Sequence, residues 1–279
     1  VEFRAGTRVD SMASLLAEGY DAVFVGSGAP RGRDIDVPGR KEAAANIHIG
    51  IDWLSSVSFG HTTKIGKRVI VLGGGNTAMD CCRSARRLGG EEVHVVVRSG
   101  FDEMKASPWE KEDAMHEGIP IHNFLVPKAF LHEHGILRGI TFDKVEARYD
   151  SKGRRELVPT GEPEVRFECD DVIVAVGQEN AFPWIERGLG IEFDGHGMPI
   201  VDKATMASTR PPSLLAISSR AAWTGSLYAS HGRFVVVSVT PISPSRIVRS
   251  PAGTSTIADV TTPGNGRPAE RMRSLPFRS

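Results

Sequence analysis

An α/β fold built on a parallel sheet is predicted by three observations. Residues 69–72 (VIVL) form a short, wholly apolar run, as a strand buried on both faces requires. The run passes directly into Gly73-Gly74-Gly75, and a helical stretch over 76–88 follows. Residues 91–97 (EEVHVVV) then supply a second strand. Strand, glycine turn, helix and strand in that order make a βαβ unit.

From the amino end, residues 10–18 (DSMASLLAE) read as a short capped helix. Residues 20–25 read as a strand that ends in Gly26-Ser27-Gly28-Ala29, small residues that allow close approach of a ligand or a neighbouring element. Residues 30–40 are a charged loop rich in Gly and Pro, and 47–58 read as a helix leading to the apolar run. Pro108 suits a helix start, with Glu110, Glu112 and Asp113 near the positive end of the helix dipole; Gly118 and Pro120 end that helix. Strands are predicted over 121–125, 136–142, 144–149 and 164–169, the last three as an antiparallel meander with a turn at 150–153. Residues 171–177 (DVIVAVG) repeat the theme of an apolar strand ending in glycine and echo 21–29 (DAVFVGSGA). Beyond Arg210 the composition changes. Residues 211–279 have no Lys and only Asp259 and Glu270 as acids, while Ser, Thr and Pro crowd in, a composition that predicts disorder.

The glycine turn carries the chemistry. Gly73, Gly75 and Ala78 fall on the G-x-G-x-x-G/A spacing of dinucleotide sites. Gly73 permits the tight turn, Gly75 lets a diphosphate approach the backbone, and Ala78 lets the helix pack closely on the strand. The first N–H groups of that helix and its positive dipole end point at the phosphates. The competing reading is a glycine-rich turn that holds no ligand. At the end of the second strand, where an NAD site usually has an acid, stand Arg98 and Ser99. A guanidinium cannot accept from ribose hydroxyls but can clamp a 2′-phosphate, so NADP(H) is expected over NAD(H). The alternative for Arg98 is a solvated strand-end cation.

Composition excludes several classes. With 34 basic and 34 acidic residues the formal net charge is zero, so nothing favours nucleic acid or an anionic membrane. No apolar run approaches the roughly 20 residues that span a bilayer, 234–237 (FVVV) included. Cys81, Cys82 and Cys169 form neither a disulfide framework nor a C-x-x-C pair, and they suit a reducing cytoplasm. His132 and His134 flank Glu133 in a turn, and a solvated loop is the simpler reading than a metal site; no metal site is expected.

These motifs together resemble the small (beta) subunit of NADPH-dependent glutamate synthase and its flavoprotein relatives in the pyridine nucleotide-disulfide oxidoreductase superfamily, including the matching half of dihydropyrimidine dehydrogenase. The segments that carry the likeness are 20–29, 69–80, 93–99, 104–118, 170–178 and 205–209. The resemblance implies a Rossmann-like NAD(P)-binding domain inserted into a partial FAD-binding domain: FAD part at 1–46, NADPH domain at 47–178, return to the FAD part at 179–210. It implies that Gly73, Gly74, Gly75, Asn76, Thr77, Ala78 and Arg98 contact NADPH. Gly28 and Gly177 would lie at the crossings between domains, near flavin and nicotinamide. An arginine commonly follows Arg98 in the family; here it is Ser99. The implied chemistry is hydride transfer from NADPH to FAD, with electrons passing through 4Fe-4S clusters to a partner such as a glutamate synthase large chain. No general acid, base or nucleophile is assigned.

Three family parts are missing from the sequence: the cysteine-rich cluster-binding region, the first FAD fingerprint, and a Gly-Asp after the apolar strand near 214–220, where LLAISSR stands. An out-of-frame reading after Arg210 would account for the last. Three expectations therefore compete: an NADPH-dependent flavin oxidoreductase subunit, an incomplete fragment that only binds NADP(H), and an unrelated single-cofactor dehydrogenase, for which the sequence offers no acid–base pair.

Overall fold

The computed structural model describes residues 2–4, 7–20, 22–26, 28–203, 205, 207–210, 213–214, 234–238 and 246–250. After β1 (Glu2–Arg4), α1 (Met12–Ala17) begins at Ser11, whose hydroxyl accepts the Ser14 N–H at 3.0 Å. The Glu186 carboxylate accepts the Met12 and Ala13 N–H groups at 3.1 and 3.2 Å, so this helix start is satisfied from two directions. β2 (Ala22–Val25) follows, then β3 (Arg31–Gly32) within the expected loop.

The stretch expected as one helix over 47–58 divides. β4 (Ile47–Ile49) is a strand, and only α2 (Gly50–Ser58) is helical. The parallel sheet needs an edge strand beside 171–174, and the β-branched Ile47 and Ile49 supply it. Next come β5 (Arg68–Leu72), α3 (Asn76–Arg87), β6 (Glu92–Val96) and α4 (Pro108–His116), each within two residues of its expected span. Pro108 opens α4 as expected.

The middle of the chain departs further from expectation. β7 (Ile121–His122) stops early, and a separate strand, β8 (Leu125–Glu133), follows it. The two strands expected over 136–149 are one, β9 (Ile136–Tyr149). It is long because β8 and β11 (Val165–Glu168) flank its first part, whereas β10 (Arg155–Pro159) pairs with its last five residues. β12 (Asp171–Val174) returns to the parallel sheet, and β13 (Gln178–Glu179) pairs with β3.

The parallel sheet has the order β4-β12-β5-β6-β7. Its two faces bury different layers. Val69, Val71, Val93 and Val95 meet Ala78, Met79, Cys81, Cys82 and Ala85 of α3 on one side. Ile70, Leu72, Val172 and Val174 meet Phe130, Leu137, Ile140 and Phe142 of the antiparallel sheet on the other. A separate cluster joins α1 and β2 to Trp184, Ile185 and Ile191. In the compositionally distinct segment, β14 (Ser213–Leu214) and β15 (Phe234–Ser238) run parallel to β2, and β16 (Arg246–Ser250) links β15 to β1. Residues 215–220, where the Gly-Asp is expected, and the residues after 250 lie outside the described residues.

Candidate functional site

From β5 the chain builds outward through β6 to β7, then returns to β12 on the opposite flank of β5. The order reverses there, and the carboxyl ends of the strands at such a reversal are the usual ligand position in an open α/β sheet. The glycine turn after β5 and the Ala175–Gly177 stretch after β12 occupy that edge.

Gly73 has φ +136°, and a Cβ there would meet the Ala175 carbonyl oxygen at 2.2 Å. Only glycine lets the two strand ends approach so closely. A Cβ on Gly74 would meet Val97 Cγ1 at 2.7 Å, whereas one on Gly75 would have nothing within 4 Å. Gly75 thus opens onto free space rather than onto protein. It is also the N-cap of α3, and no side chain caps that helix. The N–H groups of Gly74, Gly75, Asn76 and Thr77 have no acceptor among the described residues. Ala78 is fully buried, as close packing of helix on strand requires.

Side chains brace this cradle without filling it. Asn76 Oδ1 accepts the Ser107 N–H at 2.9 Å, and the Gly74 carbonyl accepts the Ala106 N–H at 2.9 Å. Gln178 Nε2 donates to Thr77 Oγ1 at 3.1 Å, tying the α3 start to the residue after Gly177. Behind it, Arg83 on α3 pairs with Glu110 and Asp113 of α4 and with Glu117 at its C-cap, which fixes the helix that Ser107 opens. Ser107 and Gln178 carry no motif in the sequence; only the folded chain brings them to the turn.

Arg98 stands just past β6 on the same edge, exposed and with no ion pair among the described residues. Ser99 beside it is buried, and its carbonyl accepts Asn123 Nδ2 at 2.8 Å. Gly177 (φ +132°) accepts the Arg33 N–H at 3.0 Å through its carbonyl, so the chain leaving Gly28 runs against it through β3 and β13. Gly28 itself (φ +67°) has nothing within 4 Å of a Cβ position. Glu133 ends β8 and pairs with Arg138.

The cysteines are inert to this edge. Burial raises all three thiols: Cys81 well above its ordinary value, Cys82 and Cys169 to about 12.

A family model for pyridine nucleotide-disulphide oxidoreductases matches residues 7–219. The chain is 34% identical over 205 residues to the beta subunit of the NADP(+)-dependent formate dehydrogenase of Moorella thermoacetica, covering 73% of this chain and 29% of that protein. It is 36% identical over 191 residues to the NADPH-Fe(3+) oxidoreductase beta subunit of Geobacter sulfurreducens, with 67% and 28% covered. It is 34% identical over 213 residues to the small chain of the NADPH glutamate synthase of Halomonas elongata, with 71% and 44% covered. The chain therefore spans less than half of each of these relatives. Among solved structures, Mycobacterium tuberculosis FprA in complex with NADPH gives a TM-score of 0.58 at 19% identity, covering 76% of this chain and 61% of that one. T. acidophilum thioredoxin reductase gives 0.51 at 15% identity, covering 74% and 59%. These two likenesses concern the fold. With the family model spanning most of its length, the chain belongs to the pyridine nucleotide-disulphide oxidoreductase family.

Proposed function

We propose that the chain is the NADPH-handling part of a flavin oxidoreductase subunit, in which a coenzyme domain at 47–178 is inserted between FAD-binding stretches at 1–46 and 179–210. The observation that carries this reading is the open cradle at Gly75, with four N–H groups and an exposed Arg98 on the same sheet edge that have no partner among the described residues. Those groups fit a diphosphate and a nearby 2′-phosphate. Bound NADPH would supply hydride, and bound FAD would accept it. The protein's part is to hold and orient. Gly74, Gly75, Asn76 and Thr77 present N–H donors, Arg98 selects the phosphorylated ribose, and Gly177 marks the crossing toward the flavin half, near Gly28.

Electron delivery to a partner subunit, as in a glutamate synthase, is part of this reading, and relatives named as beta subunits and a small chain support such a partner; the iron–sulfur clusters rest on the family resemblance alone. The three buried thiols suit a reducing, cytoplasmic setting. One observation favours a narrower second reading, an NADP(H)-binding piece that does not turn over: the sequence has LLAISSR where the flavin-holding Gly-Asp is expected.

Calorimetric titration tests the coenzyme assignment. NADPH should bind the full chain more tightly than NADH. Arg98→Glu should cost NADPH about 1.5–3 kcal/mol, the value of a charge-assisted contact, and change NADH little. Equal losses for both coenzymes would remove the 2′-phosphate role.

A further inference from the structure

Five residues after Arg98, the carboxylate of Glu103 gathers three donors. Its Oε2 accepts the Gly100 N–H at 3.0 Å, and Glu103 returns its own N–H to the Gly100 carbonyl at 3.2 Å. Its Oε1 accepts the Tyr149 hydroxyl at 2.7 Å. The Arg155 guanidinium pairs with the same oxygen as Gly100. Tyr149 and Arg155 face each other directly across the β9–β10 ladder, so their side chains share one face of that hairpin. Asp150 sets the hairpin turn, accepting the Lys152 and Arg154 N–H groups at 2.9 and 2.8 Å. A separate antiparallel layer thus reaches over to the loop that carries the coenzyme-selecting arginine.

The electrostatic consequence decides the role. Glu103 lies five residues from Arg98, in the loop on which a 2′-phosphate would rest. An unpaired carboxylate there would repel the phosphate and compete for the Arg98 guanidinium. Arg155 neutralises it, and Arg98 has no ion pair among the described residues. The hydroxyl of Tyr149 and the Gly100 N–H hold the Glu103 carboxyl below its ordinary value, so the acid stays ionised and committed to these partners.

We infer that Arg155 is a specificity-determining residue that acts through Glu103: it keeps that carboxylate off Arg98 and so sets the preference for a 2′-phosphorylated coenzyme. The inference rests on the coenzyme reading given above. The test is calorimetry of NADPH and NADH with the full chain and two variants. Arg155→Leu should weaken NADPH binding about three- to fivefold, the upper range of one partly exposed ion pair, with NADH changed by less than about twofold. Adding Glu103→Gln to Arg155→Leu should recover most of the NADPH affinity, because the liberated charge is gone. An unchanged NADPH/NADH ratio in Arg155→Leu, equal weakening of both coenzymes, or a double variant as poor as the single would overturn the inference. If Arg98→Glu abolishes the preference while Arg155→Leu leaves it intact, this inference fails and the coenzyme reading stands. If the wild-type chain binds neither coenzyme, both fall.

Discussion

Glycine positions in the same turn do different work, and substitution should separate them. Gly73 has a positive φ and a carbonyl pressed against its Cβ position, so Gly73→Ala should cost about 1–3 kcal/mol in stability and coenzyme binding with it. Gly75 has an ordinary extended backbone and open space in front of it. Gly75→Ala should melt within about 0.5 kcal/mol of the parent yet bind NADPH poorly, since the new methyl stands where the diphosphate must approach. Chemical denaturation and calorimetry on both variants check this; equal destabilisation would contradict the assignment. The glycines, Ala78 and Arg98 were readable from spacing alone, because they sit within one βαβ unit. Glu103, Tyr149 and Arg155 were not. The signal existed in part: a turn at 150–153 places Tyr149 opposite Arg155. Nothing local says that the hairpin folds over Gly100.

At the scale of elements, β6 and β7 carry a half-buried histidine pair. His94 Nδ1 lies 2.9 Å from His122 Nε2, and both rings pack on Phe167 of β11, between the two sheets. Burial lowers the His94 pKa; burial and then the neighbouring His94 lower that of His122. The unfolded chain therefore takes up protons first as pH falls. Stability is fully present above the unfolded value of about 6.5 and is lost as pH drops through the lower folded values. Thermal melts should show a fall between about pH 7 and pH 5, and His94→Gln should flatten it; an unaltered slope would assign the acid sensitivity elsewhere. The strands that escaped the sequence did so for different reasons. β8 contains Pro127 beside a register shift and so lacks the look of a strand, and β4 is three residues long, visible only once β12 lies next to it. The parallel strands were legible because a continuous apolar run needs no partner to be recognised.

Taken whole, the chain stacks helices on one face of a parallel sheet and an antiparallel meander on the other, with β2 and its neighbours as a second sheet. If the flavin half is sufficient, purified protein should show visible flavin absorbance that persists through gel filtration; colourless protein that still binds NADPH would favour the narrower reading. The placement of the cysteines has a practical consequence. Cys81 and Cys82 sit beneath the helical layer and Cys169 beneath the meander, each with its thiolate form suppressed at neutral pH. Alkylating reagents should find them only when a layer lifts. Peptide masses from a timed labelling series would then reveal which side of the molecule opens first, with no probe added by design.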